Sequence, residues 1–107
     1  MMAERGGPPD DVAGFAPVDD GGRWAFAGAL TYANAGDVLA ASTLLALPTA
    51  GEVDLRDVGA VDSAAVAVLL ALQRRAAAEG RPLRFTDVPA ALTALADLYG
   101  VEDIIVA

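Results

Sequence analysis

Asp62 and Ser63 stand side by side where an apolar segment, Val53-Asp54-Leu55, gives way to an Ala/Val/Leu-rich run. A hydroxyl beside a carboxylate at the mouth of a helix has four chemical uses. It can cap the helix by accepting a first-turn N–H, at about 1 kcal/mol. It can carry a phosphate, which the unpaired N–H groups and partial positive charge of the helix N-terminus favour. It can attack a substrate if a base lies in reach. It can hydrogen-bond a partner protein.

The rest of the chain narrows these uses. There is no histidine, no cysteine and no lysine, and all seven basic residues are arginine. The commonest general base and the commonest metal ligand are therefore missing. Disulfides, zinc–thiolate sites and cysteine nucleophiles are excluded. A carboxylate of ordinary acidity is a weak base at neutral pH, and no Gly-rich phosphate loop of the Walker type occurs. The sequence thus predicts no enzyme, no cofactor and no metal site. A phosphate on Ser63 would gain about 0.3–1 kcal/mol from the helix N-terminus. It would also face Asp62, and like charges ~4 Å apart at an effective dielectric of ~20 repel by about 4 kcal/mol. Partner contact is the use that survives best, with capping the structural alternative.

The elements that position this pair follow from pattern. Residues 1–13 are rich in Gly, Pro and acids, and read as a disordered tail. One domain, 14–107, remains. Phe15–Val18 and Arg23–Leu30 predict a β-hairpin across the turn Asp19–Gly22, with Trp24, Phe26, Gly28 and Leu30 on one face. Thr31 opens a helix with Asp37, Val38, Ala41, Leu44 and Leu45 at helical spacing, ended by Pro48. Gly51–Leu55 is the third strand, followed by a loop over Arg56–Val61. Arg81–Phe85 is the fourth. Asp87 is expected to cap a last helix with Leu92, Leu95 and Tyr99 inward, stopped by Gly100; a final strand is expected at Ile104–Val106. Two leading strands and then α-β-α-β-α predict an α/β sandwich with a mostly parallel sheet and right-handed crossovers. Function in such sheets gathers beyond the carboxyl ends of the strands, where Asp62-Ser63 would sit.

The helix after Ser63 has two contrasting faces. At about 100° per residue, Ala65, Val66, Leu69, Leu72 and Ala76 share the apolar face expected on the sheet. The opposite face holds Ala64, Ala67, Ala71, Arg74, Arg75 and Ala78. Its first half lacks the Glu, Lys or Gln of an ordinary solvated face. Bare alanine lets another backbone approach closely, and arginine is favoured at interfaces. The plainer alternative is that alanine is abundant throughout this chain.

Net charge is −8. An acidic surface repels nucleic acid and anionic lipid headgroups, so a basic protein partner suits it better, although acidity also keeps an alanine-rich chain in solution. The chain is 55% hydrophobic, yet no apolar run approaches the ~20 residues that cross a bilayer. The stretch MMAERGGPPDD has no apolar signal-peptide region. A cytoplasmic location is expected.

These residues resemble the STAS domain family (sulfate transporters and anti-sigma factor antagonists). The resemblance rests on Val53-Asp54-Leu55, a short connection, then Asp62-Ser63-Ala64-Ala65-Val66, with Ala27-Gly28-Ala29-Leu30-Thr31 similar to the family's G-x-L-T strand end. It covers roughly residues 15–106. Within the family the chain is most similar to the MlaB group, through the unbroken aliphatic run after Ser63 and through Leu95-Ala-Asp-Leu-Tyr99. Glycine often stands in the family where this chain has Ala65, and leucine where it has Val66. The resemblance implies a non-enzymatic subunit that docks on the ATPase subunit of an ABC transporter for phospholipids, peripheral to the inner membrane through that partner. The contact residues implied are Asp62, Ser63, Ala64, Ala67 and Ala71, with Arg74 and Arg75 at the rim. The other branch of the family implies an anti-sigma factor antagonist that meets an anti-sigma kinase and is switched by serine phosphorylation. In that branch the phosphate goes to a second serine, where this chain has Ala64, leaving Ser63 as the acceptor.

Overall fold

The structure is a computed structural model, and it describes residues 13–105. The expected tail therefore lies outside the described residues, apart from Ala13, which packs half-buried against the core. Four strands form one mixed sheet in the order β1-β2-β3-β4: β1 Gly14–Val18, β2 Arg23–Leu30, β3 Glu52–Val61 and β4 Arg84–Thr86. β1 pairs antiparallel with β2; β2–β3 and β3–β4 are parallel. The helices are α1 Ala35–Ser42, α2 Ser63–Ala78, α3 Ala90–Leu98 and α4 Glu102–Ile105. This is the α/β architecture the pattern predicts.

The hairpin forms because its turn chemistry permits it. Asp19, Asp20 and Gly21 all take positive φ, a conformation aspartate tolerates better than most residues and glycine best. Asp19 also holds Arg23 at 3.0 Å, and that hydrogen bond pushes the Arg23 pKa upward. On the inner face Trp24, Phe26 and Leu30 are buried. The Trp24 indole N–H donates to the Ala46 carbonyl at 3.1 Å, so burial costs it no hydrogen bond. Phe15 packs edge-on against Phe26.

β3 is the main departure. The expected loop Arg56–Val61 is strand, paired Ala27↔Asp57, Gly28↔Val58 and Leu30↔Val61. Between Ala25 and Ala27 β3 spends three residues against two, and again between Gly28 and Leu30. Each extra residue is a bulge that shifts the inward position by one. Buried Val53, Leu55 and Val58 are accordingly spaced two and then three apart, and strict alternation ends at Leu55. The Asp54 carboxylate accepts the Arg56 N–H at 2.8 Å beside the first bulge. Gly28 has φ +103, and a Cβ there would lie 2.5 Å from the Ala13 Cβ.

The helices depart in detail. Thr31 opens a turn, and α1 proper starts at Ala35. Of the residues expected at helical spacing, Val38 is buried and Leu45 packs half-buried against the core, whereas Asp37, Ala41 and Leu44 are exposed, Leu44 at 87%; Ser42 is buried as well. Asp87 does not cap α3. It takes φ 53 and pairs with Arg56 at 3.0 Å, and Pro89 holds the N-cap position. Leu92 and Ala96 are the buried residues of α3, while Tyr99 is 53% exposed. The segment expected as a last strand is α4 up to Ile105, with Val106 outside the described residues. Two acids start α4, where they suit the helix dipole, and Ile105 buries against the core.

Candidate functional site

α2 packs its predicted face on the sheet: Ala65, Val66, Leu69, Leu72 and Ala76 are buried, and so is Val68. It ends at Ala78, with Glu79 as C-cap and Gly80 following at φ +67. The sequence-derived site residues can be placed one by one around this helix.

Asp62, not Ser63, is the N-cap. Its backbone is extended, and one carboxylate oxygen accepts the Ala64 N–H at 2.8 Å. The other accepts the main-chain N–H of Tyr32 at 3.0 Å. Both oxygens are thus engaged, tying the β2–α1 turn to the mouth of α2. Ser63 is the first helical residue and is exposed. Among the described residues its hydroxyl has no hydrogen-bond partner. Ala64 and Ala71 are half-buried, and Ala67 is exposed.

Arg74 and Arg75 differ in what they do. Arg74 is exposed and makes no ion pair among the described residues. Arg75, about 100° further round, turns toward α1. Its guanidinium donates to the Ser42 carbonyl at 3.0 Å and the Leu45 carbonyl at 2.6 Å, and it meets Glu79 at 3.4 Å. The Ser42 carbonyl is the last of α1, where acceptors lack helical partners, and the Leu45 carbonyl lies just beyond it. Arg75 is therefore a strap within the fold rather than part of an open rim.

The exposed strip of α2 is one wall of an open groove. Ser63, Val66, Ala67 and Leu70 face Tyr99 and Val101; further along, Leu70, Gln73, Arg74 and Ala77 face Val101 and Ile104. Gln73 fixes the far wall. Its amide donates to the Leu83 carbonyl at 2.7 Å and the Ile104 carbonyl at 3.4 Å, and its oxygen accepts the Leu83 N–H at 3.1 Å. Sequence reasoning missed Tyr32, Leu70 and Val101, and placed Tyr99 inside. Leu70 was legible as an apolar residue that, like Val68 on the opposite side, falls between the two helix faces. Tyr32 had no signal beyond following the strand-end threonine.

A second hollow lies on the other side of the β2–α1 turn, lined among others by Ala29, Thr31, Asn34 and Asp37. Among the described residues no group of three or more His, Cys, Asp or Glu side chains could hold a metal ion. No described helix is long and apolar enough to cross a membrane.

No curated protein matches the chain. A family model described as "Mlab, STAS domain" matches residues 18–107. That span runs from the end of β1 through all four helices, and it includes the Asp62-capped mouth of α2: the chain belongs to the STAS domain family.

Proposed function

We propose that the chain is a non-enzymatic binding subunit that docks, through the mouth and open strip of α2, on the ATPase subunit of an ABC transporter of the phospholipid-transporting kind. The observation that carries this reading is the Ser63 hydroxyl, exposed at the first turn of α2 and without a partner among the described residues. Because Asp62 already caps the helix, Ser63 is free to serve an external acceptor or donor. Beside it the exposed Ala67 leaves room for a close approach, and Leu70, Tyr99 and Val101 offer apolar area. An interface built this way has an apolar centre at Leu70, Tyr99 and Val101 with the polar Ser63 at its edge, as docking surfaces commonly do. The absence of histidine, cysteine and lysine from the sequence supports a binding role over catalysis. The location that follows is the cytoplasmic face of the membrane, reached through the partner.

The alternative, an anti-sigma antagonist, draws support from the same exposure, since a kinase could reach Ser63. Ala64 in place of the second serine and the adjacent Asp62 weigh against a stable phosphate. The two readings separate in one measurement: calorimetric titration of the purified chain against an ABC ATPase subunit and an anti-sigma kinase from the same cell. Saturable 1:1 binding to the ATPase alone supports the docking reading. Binding to the kinase with phosphate transfer to Ser63 overturns it.

A further inference from the structure

We propose that Tyr32 is a second anchor of this contact, presented beside Ser63 by the Asp62 carboxylate, and that its ring receives a cationic side chain of the partner. The proposal rests on the docking role argued above and extends the surface to the β2–α1 turn. Tyr32 is 85% exposed, an unusual amount of bare aromatic surface for a residue whose backbone is so firmly held. Its N–H donates to Asp62 Oδ2 at 3.0 Å. The neighbouring Thr31 N–H donates to Asn34 Oδ1 at 3.0 Å, and Asn34 Nδ2 donates to the Ala29 carbonyl at 2.8 Å. The Thr31 carbonyl accepts the N–H groups of Asn34 and Ala35 at 3.0 and 2.8 Å. The turn is therefore stitched both to itself and to the mouth of α2. Its ordering cost is met before any partner arrives, which favours binding. Tyrosine adds a rigid, amphipathic ring with only two rotatable side-chain bonds and is enriched among the residues that dominate interfaces.

The chemistry of the partner follows from charge. No basic residue occurs from Trp24 to Leu55 or from Asp57 to Gln73, the stretches that supply this end of the molecule. Asp62 lies under the turn, and Asp37 is exposed in the first turn of α1. An exposed aromatic ring at an end of the molecule that carries acids and no basic residue attracts a cation through the ring quadrupole and the local field. Arginine or lysine of the partner is the fitting group.

The test titrates the full chain and its variants against the purified ABC ATPase subunit, with melting temperature measured alongside. Tyr32→Ala is expected to weaken binding at least tenfold with an unchanged melting temperature. Tyr32→Phe keeps the ring and is expected to bind within about twofold of wild type; Tyr32→Lys is expected to bind more weakly than Tyr32→Ala, because it sets like charges together. Binding by Tyr32→Ala at wild-type strength, while Ala67→Glu abolishes it, overturns the Tyr32 anchor and leaves the docking role standing. Tyr32→Lys binding as well as wild type overturns the cationic partner. Absence of binding by the wild-type chain defeats the docking role and the anchor with it.

Discussion

The Asp62 carboxylate accepts the main-chain N–H of Tyr32 across thirty residues of sequence. Its second oxygen caps α2 through the Ala64 N–H. One side chain thus fixes the relation between the carboxyl ends of β2 and β3, the place where open α/β sheets gather function. The serine beside it is relieved of structural duty.

Asp62→Ala should destabilise the fold. Loss of a cap costs about 1 kcal/mol, with a range of about 0.5–2, and the Tyr32 N–H loses its partner as well. The melting temperature should fall by roughly 4–8 °C per kcal/mol lost in a domain of this size. Asp62→Asn offers a single acceptor oxygen for two N–H groups and should fall between wild type and alanine. Thermal unfolding of the three proteins checks the order.

Ser63→Ala should leave stability within about 0.5 kcal/mol of wild type, as exposed substitutions away from caps do. Affinity for the partner should drop, because a matching polar group would be buried unpaired. Ser63→Thr keeps the hydroxyl and should bind, whereas Ser63→Glu adds a charge beside Asp62 and should not. If Ser63→Ala melts several degrees lower yet binds normally, the assignment of the cap to Asp62 is wrong.

Ala67→Glu should fold normally, since Ala67 is exposed on the strip of α2 away from the sheet. Docking would bury its carboxylate without a partner, at a cost of several kcal/mol. Circular dichroism unchanged from wild type together with lost binding is the expected pair of results. Unfolding would contradict the placement of this helix face.

The adjacent arginines should separate cleanly. Arg75→Met removes the donors to the Ser42 and Leu45 carbonyls and should cost roughly 1.5–3 kcal/mol, the range for hydrogen bonds to charged groups. Arg74→Met touches no ion pair among the described residues and should change stability little. Denaturant titration gives both values; equal effects would show that Arg75 does not hold α1.

Much of this protein is legible in its sequence because short-range rules suffice. The hairpin needs only alternation and a turn of Asp and Gly. The buried face of α2 needs only the helical period, and Ala65, Val66, Leu69, Leu72 and Ala76 are all where that period puts them. The missing histidine, cysteine and lysine are facts of composition. Tertiary structure decided the rest, and each case has a physical cause. The length of β3 depends on two bulges, which break the alternation by which a strand is recognised and show only when β2 lies alongside. Tyr99, the C-cap of α3, is exposed and lines the groove beside α2, a placement set by how α3 lies against α2, while Leu92 and Ala96 fill the interior. Arg74 and Arg75 are equal in type and adjacent in sequence, and only the position of α1 makes one a strap and leaves the other open. The sequence suggests Ser63 as the cap at α2, since a hydroxyl suits a helix N-terminus. Asp62 holds it because its extended backbone places one carboxylate oxygen on the Ala64 N–H and the other on the Tyr32 N–H, a pairing that exists only once the β2–α1 turn is folded against β3.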